Sequence, residues 1–438
     1  MAGVGTLMVD WDRWPLHQKR GNHAFVKLFL FVFLLGFSFR VIFFFFSDSF
    51  ASLPLSQPAD VKDGRESLRD SQPVEDGVAL EHRVEDSQKD KCDLFKGEWI
   101  SNPSGPAYTN ESCLFIESPQ NCMKNGRPDT GYLYWRWKPY GCEVPQFDAK
   151  KFLDVMKDKS WAMIGDSILR NHVQSLICLL VKVEVPIEVY HDKMFRSRRW
   201  HFSAHNFTLS VIWSPFLVKA ENFDHENGAS SSIIDLHLDI LDEKWISQYQ
   251  NFNYILISGG PWFLRPAIYW ENNKIIGCHS CQDKNNLSEI SMEYSFRKAL
   301  QLVFNFFAVS DHKPFILYRT YPVAHFENAE WNRGGTCNRT VPYKEGEFMG
   351  TDLEHLMRNV ELDEFKNAAV NVARLKLLDT YKLSLLRPDG HSGPYRTFHP
   401  FDNKNNSVTI QNDCLHWCLP GPIDSWNELV MELVLNRS

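Results

Sequence analysis

The chain has 438 residues, of which 44% are hydrophobic and 14% aromatic, enough for a large core and too many for a disordered scaffold. Its 54 acidic residues outnumber its 47 basic ones, giving a net charge of −7. No basic block with interleaved aromatics stands in the soluble part, which argues against nucleic acid as a partner.

Residues 1–23 carry Arg13, Lys19 and Arg20 and precede an almost wholly apolar run, 24–46, that is long enough to cross a bilayer. Lys27 snorkels towards one headgroup layer and Arg40, at some cost, towards the other. The run is too long for a cleaved signal peptide and no small-x-small site follows it, so it reads as a signal anchor. The preceding cations put residues 1–23 in the cytosol as a short tail and the remainder in the lumen, a single-pass type II topology. Residues 47–91, rich in Ser, Asp, Glu and Pro, read as a flexible luminal stem. All ten cysteines follow the span, an even number in an oxidising compartment, and predict a disulfide framework. Sequons at Asn110, Asn206, Asn286, Asn338, Asn405 and Asn436 predict glycosylation in the same compartment.

Residues 92–145 are dense in Trp, Tyr, Gly, Pro and Cys and show no long helical period. They read as a disulfide-stapled segment too small to fold apart from the catalytic domain expected over 146–438. In that domain, strand-like runs at 161–164, 208–213, 254–258, 315–319 and 375–378 alternate with helix-like stretches at 168–180, 292–307 and 360–374. Such alternation predicts an α/β fold with three α/β/α layers and a parallel sheet. Ligands then bind at the carboxyl ends of the strands, where Gly165 and Ser258-Gly259-Gly260 fall. Cys278-His279-Ser280-Cys281 has no second Cys or His pair to complete a zinc site, so a local disulfide is favoured and no metal is expected.

Gly165-Asp166-Ser167 stands where the strand at 161–164 gives way to the helix. A serine at that junction sits among free backbone N–H groups at the positive end of the helix dipole, a place suited to a nucleophile. Asp413-Cys414-Leu415-His416 offers a carboxylate and an imidazole three residues apart, a general base and the group that orients it. Either motif alone is common as a turn, a helix cap or a chance spacing. Their order and context point to a Ser167–His416–Asp413 triad.

These motifs resemble the SGNH/GDSL hydrolase-like superfamily. The fuller text is similar to the plant trichome birefringence-like family, on the residues Cys92-Asp-Leu-Phe-Lys-Gly-Glu-Trp99, Tyr134-Trp-Arg-Trp-Lys-Pro139, Gly165-Asp-Ser-Ile-Leu-Arg-Asn171, His325-Phe-Glu-Asn-Ala-Glu-Trp331, Gly334-Gly-Thr-Cys337, Arg387-Pro-Asp-Gly-His391 and Asp413-Cys-Leu-His-Trp-Cys-Leu-Pro-Gly-Pro422. The resemblance covers the chain from Cys92 onward. It implies a Golgi polysaccharide O-acetyltransferase acting on cell-wall glycans, most similar to the branch that acetylates xyloglucan on side-chain galactose. It also implies the pairs Cys92–Cys142, Cys113–Cys178, Cys122–Cys418 and Cys337–Cys414, leaving Cys278 and Cys281 to each other. Many relatives carry Gly-His-Trp where this chain has Gly260-Pro261-Trp262, so no histidine role transfers to that place.

The implied chemistry is an acyl-serine formed from an acetyl donor, acetyl-CoA or another activated acetyl used as co-substrate, with no tightly bound cofactor. A sugar hydroxyl then resolves it. The N–H groups of Ser167 and of Gly259 or Gly260 are oxyanion candidates. Arg170 and Asn171 are candidates for oxyanion or acceptor contact, set against a structural ion pair for Arg170. Trp262 and Trp417 are candidates for stacking on sugar, set against core packing. A mannan or xylan acetyltransferase, a glycan acetyl esterase and a non-catalytic wall-polysaccharide binding protein are the competing readings, and the sequence leaves the donor, the acceptor hydroxyl and the oligomeric state open.

Overall fold

Five short apolar runs build the centre of the molecule, seen in a computed structural model that describes residues 92–223, 233–281, 286–331, 333–402 and 410–436. The span expected over 24–46, the stem and the sequon at Asn405 lie outside the described residues. Among those described, no helix is long and apolar enough to cross a membrane.

In the N-terminal segment, β1 (Gly97–Ser101) pairs antiparallel with β2 (Trp135–Pro139). The main sheet contains β3 (Ser160–Gly165), β4 (Ile187–His191), β5 (Arg198–Phe202), β6 (Phe207–Trp213), β9 (Tyr254–Ile257), β12 (Phe315–Arg319) and β13 (Leu375–Leu378), in the order β13-β12-β9-β3-β6-β5-β4. From β13 to β6 every pairing is parallel, and the order around β3 is that of a doubly wound sheet, with β6 on one side and β9 on the other. The expectation of a wholly parallel sheet needs correction at one edge, where β4, β5 and β6 pair antiparallel. The connection from β5 to β6 is only the turn at 203–206, too short for the crossover that a parallel neighbour requires. A second, mixed sheet runs β11 (Lys274–His279), β10 (Ala267–Glu271), β8 (Ile234–Leu241) and β7 (Val218–Glu221). It was not expected from the sequence.

The pleat separates two cores. Trp161, Met163, Tyr254, Leu256, Phe315 and Leu317 face one core, shared with α1 (Ala149–Met156), α2 (Ser167–Leu180) and the C-terminal helix α5 (Asp424–Leu435). Their neighbours Ala162, Ile164, Ile255, Ile257, Ile316 and Tyr318 face the other, shared with α3 (Met292–Val309) and α4 (Asp352–Ala369). The three layers follow. Helix α4 starts eight residues before the expected 360, at a Thr351–Glu354 capping box, where the buried Glu354 interrupts the apolar period.

Five disulfides join Cys92 to Cys142, Cys113 to Cys178, Cys122 to Cys418, Cys337 to Cys414 and Cys278 to Cys281. Cys113–Cys178 ties the N-terminal segment to the last turn of α2. Cys122–Cys418 ties it to the loop after β15 (Asp413–Trp417), which pairs with β14 (His391–Gly393). Cys337–Cys414 closes 77 residues onto the same strand. Peptide mapping without reduction should therefore recover Cys337 linked to Cys414. A Cys337→Ser, Cys414→Ser double variant should lose about 4 kcal/mol of stability in denaturant unfolding; an unchanged midpoint would contradict the constraint.

Candidate active site

The site is set at the carboxyl edge of the main sheet by the turn after β3. A Cβ at Gly165 would collide with the Ser258 carbonyl, so only glycine lets the chain pass that close to the loop after β9. Asp166 then caps α2, its Oδ1 accepting from the N–H groups of Ile168 (3.0 Å) and Leu169 (3.3 Å). Ser167 is the first residue of the helix and is partly exposed in a motif otherwise buried. Among the described residues, the N–H groups of Ser167, Gly259 and Gly260 make no hydrogen bond to a protein acceptor, which leaves them available to an oxyanion. Gly260 has φ +141°, and a Cβ there would strike the Tyr321 ring; Pro261 follows as the first residue of a one-turn 3-10 helix, a position proline fits.

The candidate base comes from the other end of the chain. His416 Nδ1–H donates to Asp413 Oδ2 (2.9 Å), and Asp413 Oδ1 accepts from the backbone N–H groups of His416 (3.0 Å) and Leu415 (3.2 Å). Asp413 is 1% exposed and His416 7%. Burial by itself would raise the Asp413 carboxyl, but the charge and hydrogen bonds of His416, together with Arg396, hold it well below the usual carboxylate range. Because Nδ1 is engaged, Nε2 is left as the basic nitrogen. The strand that carries it is pinned to α2 by one buried bond: Trp417 N–H donates to Asn171 Oδ1 (2.7 Å), one turn after Ser167.

The other expected contacts divide. Asn171 is fully buried and serves as that pin, so it does not face an acceptor. Arg170 Nη2 pairs with Glu117 Oε2 (3.1 Å) in a network with Arg198, the structural alternative. Trp417 is 0% exposed, packed between the rings of His391 (4.2 Å) and Trp426 (5.8 Å), and is core and not a sugar platform. Trp262 packs into an aromatic cluster with Trp213, Phe216 and Phe223, with the Arg265 guanidinium 4.7 Å from its ring centroid.

Several residues around the site were not expected. Arg319, at the end of β12 and fully buried, donates from Nη2 to Ser258 Oγ (2.6 Å), next to the two glycines. Burial pulls its guanidinium down to about 10, against the nearby carboxylates of Asp166 and Glu361. Glu361 accepts from Tyr321 N–H (2.9 Å) and Tyr318 Oη–H (2.7 Å), and burial pushes it up to about 8. A cation ending an otherwise apolar strand, Phe315-Ile-Leu-Tyr-Arg319, on the ligand side of the sheet was the available signal. Behind β15, His391 Nδ1 faces the His416 carbonyl (3.0 Å), His391 Nε2 faces His325 Nδ1 (2.7 Å), and His325 Nε2 faces the Leu385 carbonyl (3.0 Å). Burial holds both rings below the ordinary histidine range, and a neutral pair has two N–H groups for these three contacts. Among the described residues, Cys278, Cys281 and Glu289 are the group with metal-ligand spacing, but the two sulfurs are joined to each other.

Residues 144–433 match the GDSL/SGNH-like acyl-esterase family found in Pmr5 and Cas1p, and residues 90–143 match the PMR5 N terminal domain. The chain is 55% identical to trichome birefringence-like protein 26 of Arabidopsis thaliana over 350 residues, covering 79% of this chain and 78% of that one. It is 44% identical to xyloglucan O-acetyltransferase 1 of Arabidopsis thaliana, over 78% of this chain and 80% of that one. It is 40% identical to xyloglucan O-acetyltransferase 1 of Populus trichocarpa, over 80% and 82%.

The depressed Asp413 carboxyl fixes the sign of one pH effect. Its contribution to stability is complete above its unfolded value of 3.8 and is lost as pH falls below that towards the folded value. Asp413→Asn should therefore be about 2 kcal/mol less stable than the parent at pH 6, with the gap narrowing as pH falls below 3.8. Denaturant unfolding across that range checks it; a gap that stays constant would contradict the ionised Asp413.

Proposed function

The chain belongs to the trichome birefringence-like branch of the GDSL/SGNH-like acyl-esterase family and is an O-acetyltransferase, and from that premise we propose that it acetylates xyloglucan through Ser167, His416 and Asp413. The observation that carries the mechanism is the Asp413–His416 pair, pinned by Asn171 beside the helix that Ser167 begins.

In the first half-reaction, Ser167 Oγ attacks the carbonyl carbon of the acetyl donor while His416 Nε2 takes its proton. The Ser167 N–H and an N–H of Gly259 or Gly260 hold the tetrahedral oxyanion. Collapse breaks the bond to the donor's leaving group, which receives the proton from His416, and leaves acetyl-Ser167. In the second half, a glycan hydroxyl gives its proton to His416 and attacks the acyl carbon, and collapse breaks the bond from that carbon to Ser167 Oγ, which takes the proton back from His416. Asp413 orients the imidazole and stabilises its charged form throughout. Transfer prevails over hydrolysis where a bound sugar places its hydroxyl against the ester, because positioning outweighs bulk water.

Relatives bearing the name xyloglucan O-acetyltransferase in two plants support the acceptor, and side-chain galactose is the hydroxyl the family likeness favours. The apolar run at 24–46, the cations before it and the oxidised cysteines support a type II Golgi membrane protein with a glycosylated luminal domain.

Ser167→Ala should lower acetyl transfer at least about 10³-fold while the thermal midpoint and glycan binding stay unchanged. Offered an acetyl donor with xyloglucan, mannan, xylan and homogalacturonan oligosaccharides, the protein should add acetyl mass to xyloglucan. Acetylation of mannan or xylan alone would overturn the acceptor, and release of free acetate without transfer would make it an esterase.

A further inference from the structure

The Asp–His pair does not have its carboxylate to itself. Arg396 ends a one-turn 3-10 helix, Pro394–Arg396, that follows β14, and its Nη1 lies 3.5 Å from Asp413 Oδ2, the same oxygen that accepts from His416 Nδ1. The turn is held from two sides. Gly393, with φ +52°, is in register with Asp413 across the β14–β15 pair, and Asn125 of the N-terminal segment donates to the Tyr395 carbonyl (2.7 Å). The Arg396 side chain is 22% exposed, so its charge is partly but not fully screened.

We infer that Arg396 is a positioning residue that sets how readily His416 accepts a proton, by competing with the imidazolium for Asp413 Oδ2. This rests on the reading of His416 as the general base. In a pair with no third party, the whole carboxylate charge favours the imidazolium. A guanidinium on the same oxygen fixes the carboxylate's position but places a second cation near the ring, and like charge disfavours protonation.

The other groups facing this pair do not duplicate the effect. Asp166, at the start of α2, interacts with His416 with the opposite sign, and burial raises its own carboxyl. His391, behind the strand, is held neutral by burial. Arg319 interacts with Asp166 and donates to Ser258 Oγ. Arg396 is therefore the cation whose removal is felt directly at Asp413.

The test is the pH profile of kcat/KM for the full chain, with Arg396→Gln, Arg396→Lys and Ser167→Ala made in parallel. In Arg396→Gln the imidazolium regains the undivided carboxylate, so the acid limb should move to higher pH by about half a unit or more. Arg396→Lys keeps the charge and should hold the limb within a few tenths of a unit of the parent, and the acceptor KM should change less than twofold in either variant. An acid limb unmoved in Arg396→Gln overturns the inference: with a lower kcat the residue is merely structural, and with a raised KM it is an acceptor contact. If Ser167→Ala is inactive while the limb fails to move, the triad stands and only the role of Arg396 falls. If Ser167→Ala keeps turning over, the triad reading itself falls.

Discussion

One buried hydrogen bond joins the two halves of the chemistry. Trp417 N–H donates to Asn171 Oδ1 across 246 residues of sequence, a direct polar link between the strand that carries His416 and the helix that Ser167 begins. Such a bond contributes about 1 kcal/mol net, but losing the acceptor leaves a buried N–H unmet and costs more than that. Its larger consequence is geometric. A base that drifts by an ångström loses much of its rate, so the precision of the site depends on a contact that touches no substrate.

Helix α2 is buried on nearly all sides, which explains why so many polar residues stand on it. Several of these side chains find partners on neighbouring segments. Gln174 accepts from the Glu117 N–H, and Ser175 donates to Asp424, which also accepts from Tyr108 Oη–H. Tyr108 and Glu117 belong to the N-terminal segment and Asp424 to α5, so these bonds lock three parts of the chain around the nucleophile helix. Disulfides Cys113–Cys178 and Cys122–Cys418 join the same parts covalently. The N-terminal segment is thereby a collar on the site, and through Asn125 it also reaches the turn that carries Arg396.

How much of this could be read from the sequence follows from the range of each interaction. The parallel strands show as short, near-continuous apolar runs, because both faces of the sheet are buried, and α2 shows in its helical apolar spacing. Gly165-Asp166-Ser167 and Asp413-x-x-His416 show because short-range geometry requires those residues in that order. The second sheet and the antiparallel edge do not show, since their strands are half polar. The polar supports do not show either. Asn171, Arg319, Arg396, His325 and His391 are ordinary residues until the fold brings distant segments to them, and a buried Trp417 looks the same in sequence as one offered to a sugar.

The central claim is that Ser167 carries the acetyl group between donor and glycan. Incubating the protein with an acetyl donor in the absence of acceptor, quenching in acid and mapping the peptides by mass should find one acetyl group on Ser167, discharged when xyloglucan oligosaccharide is added before the quench. Full transfer activity with Ser167 never acetylated at any time point would contradict the account.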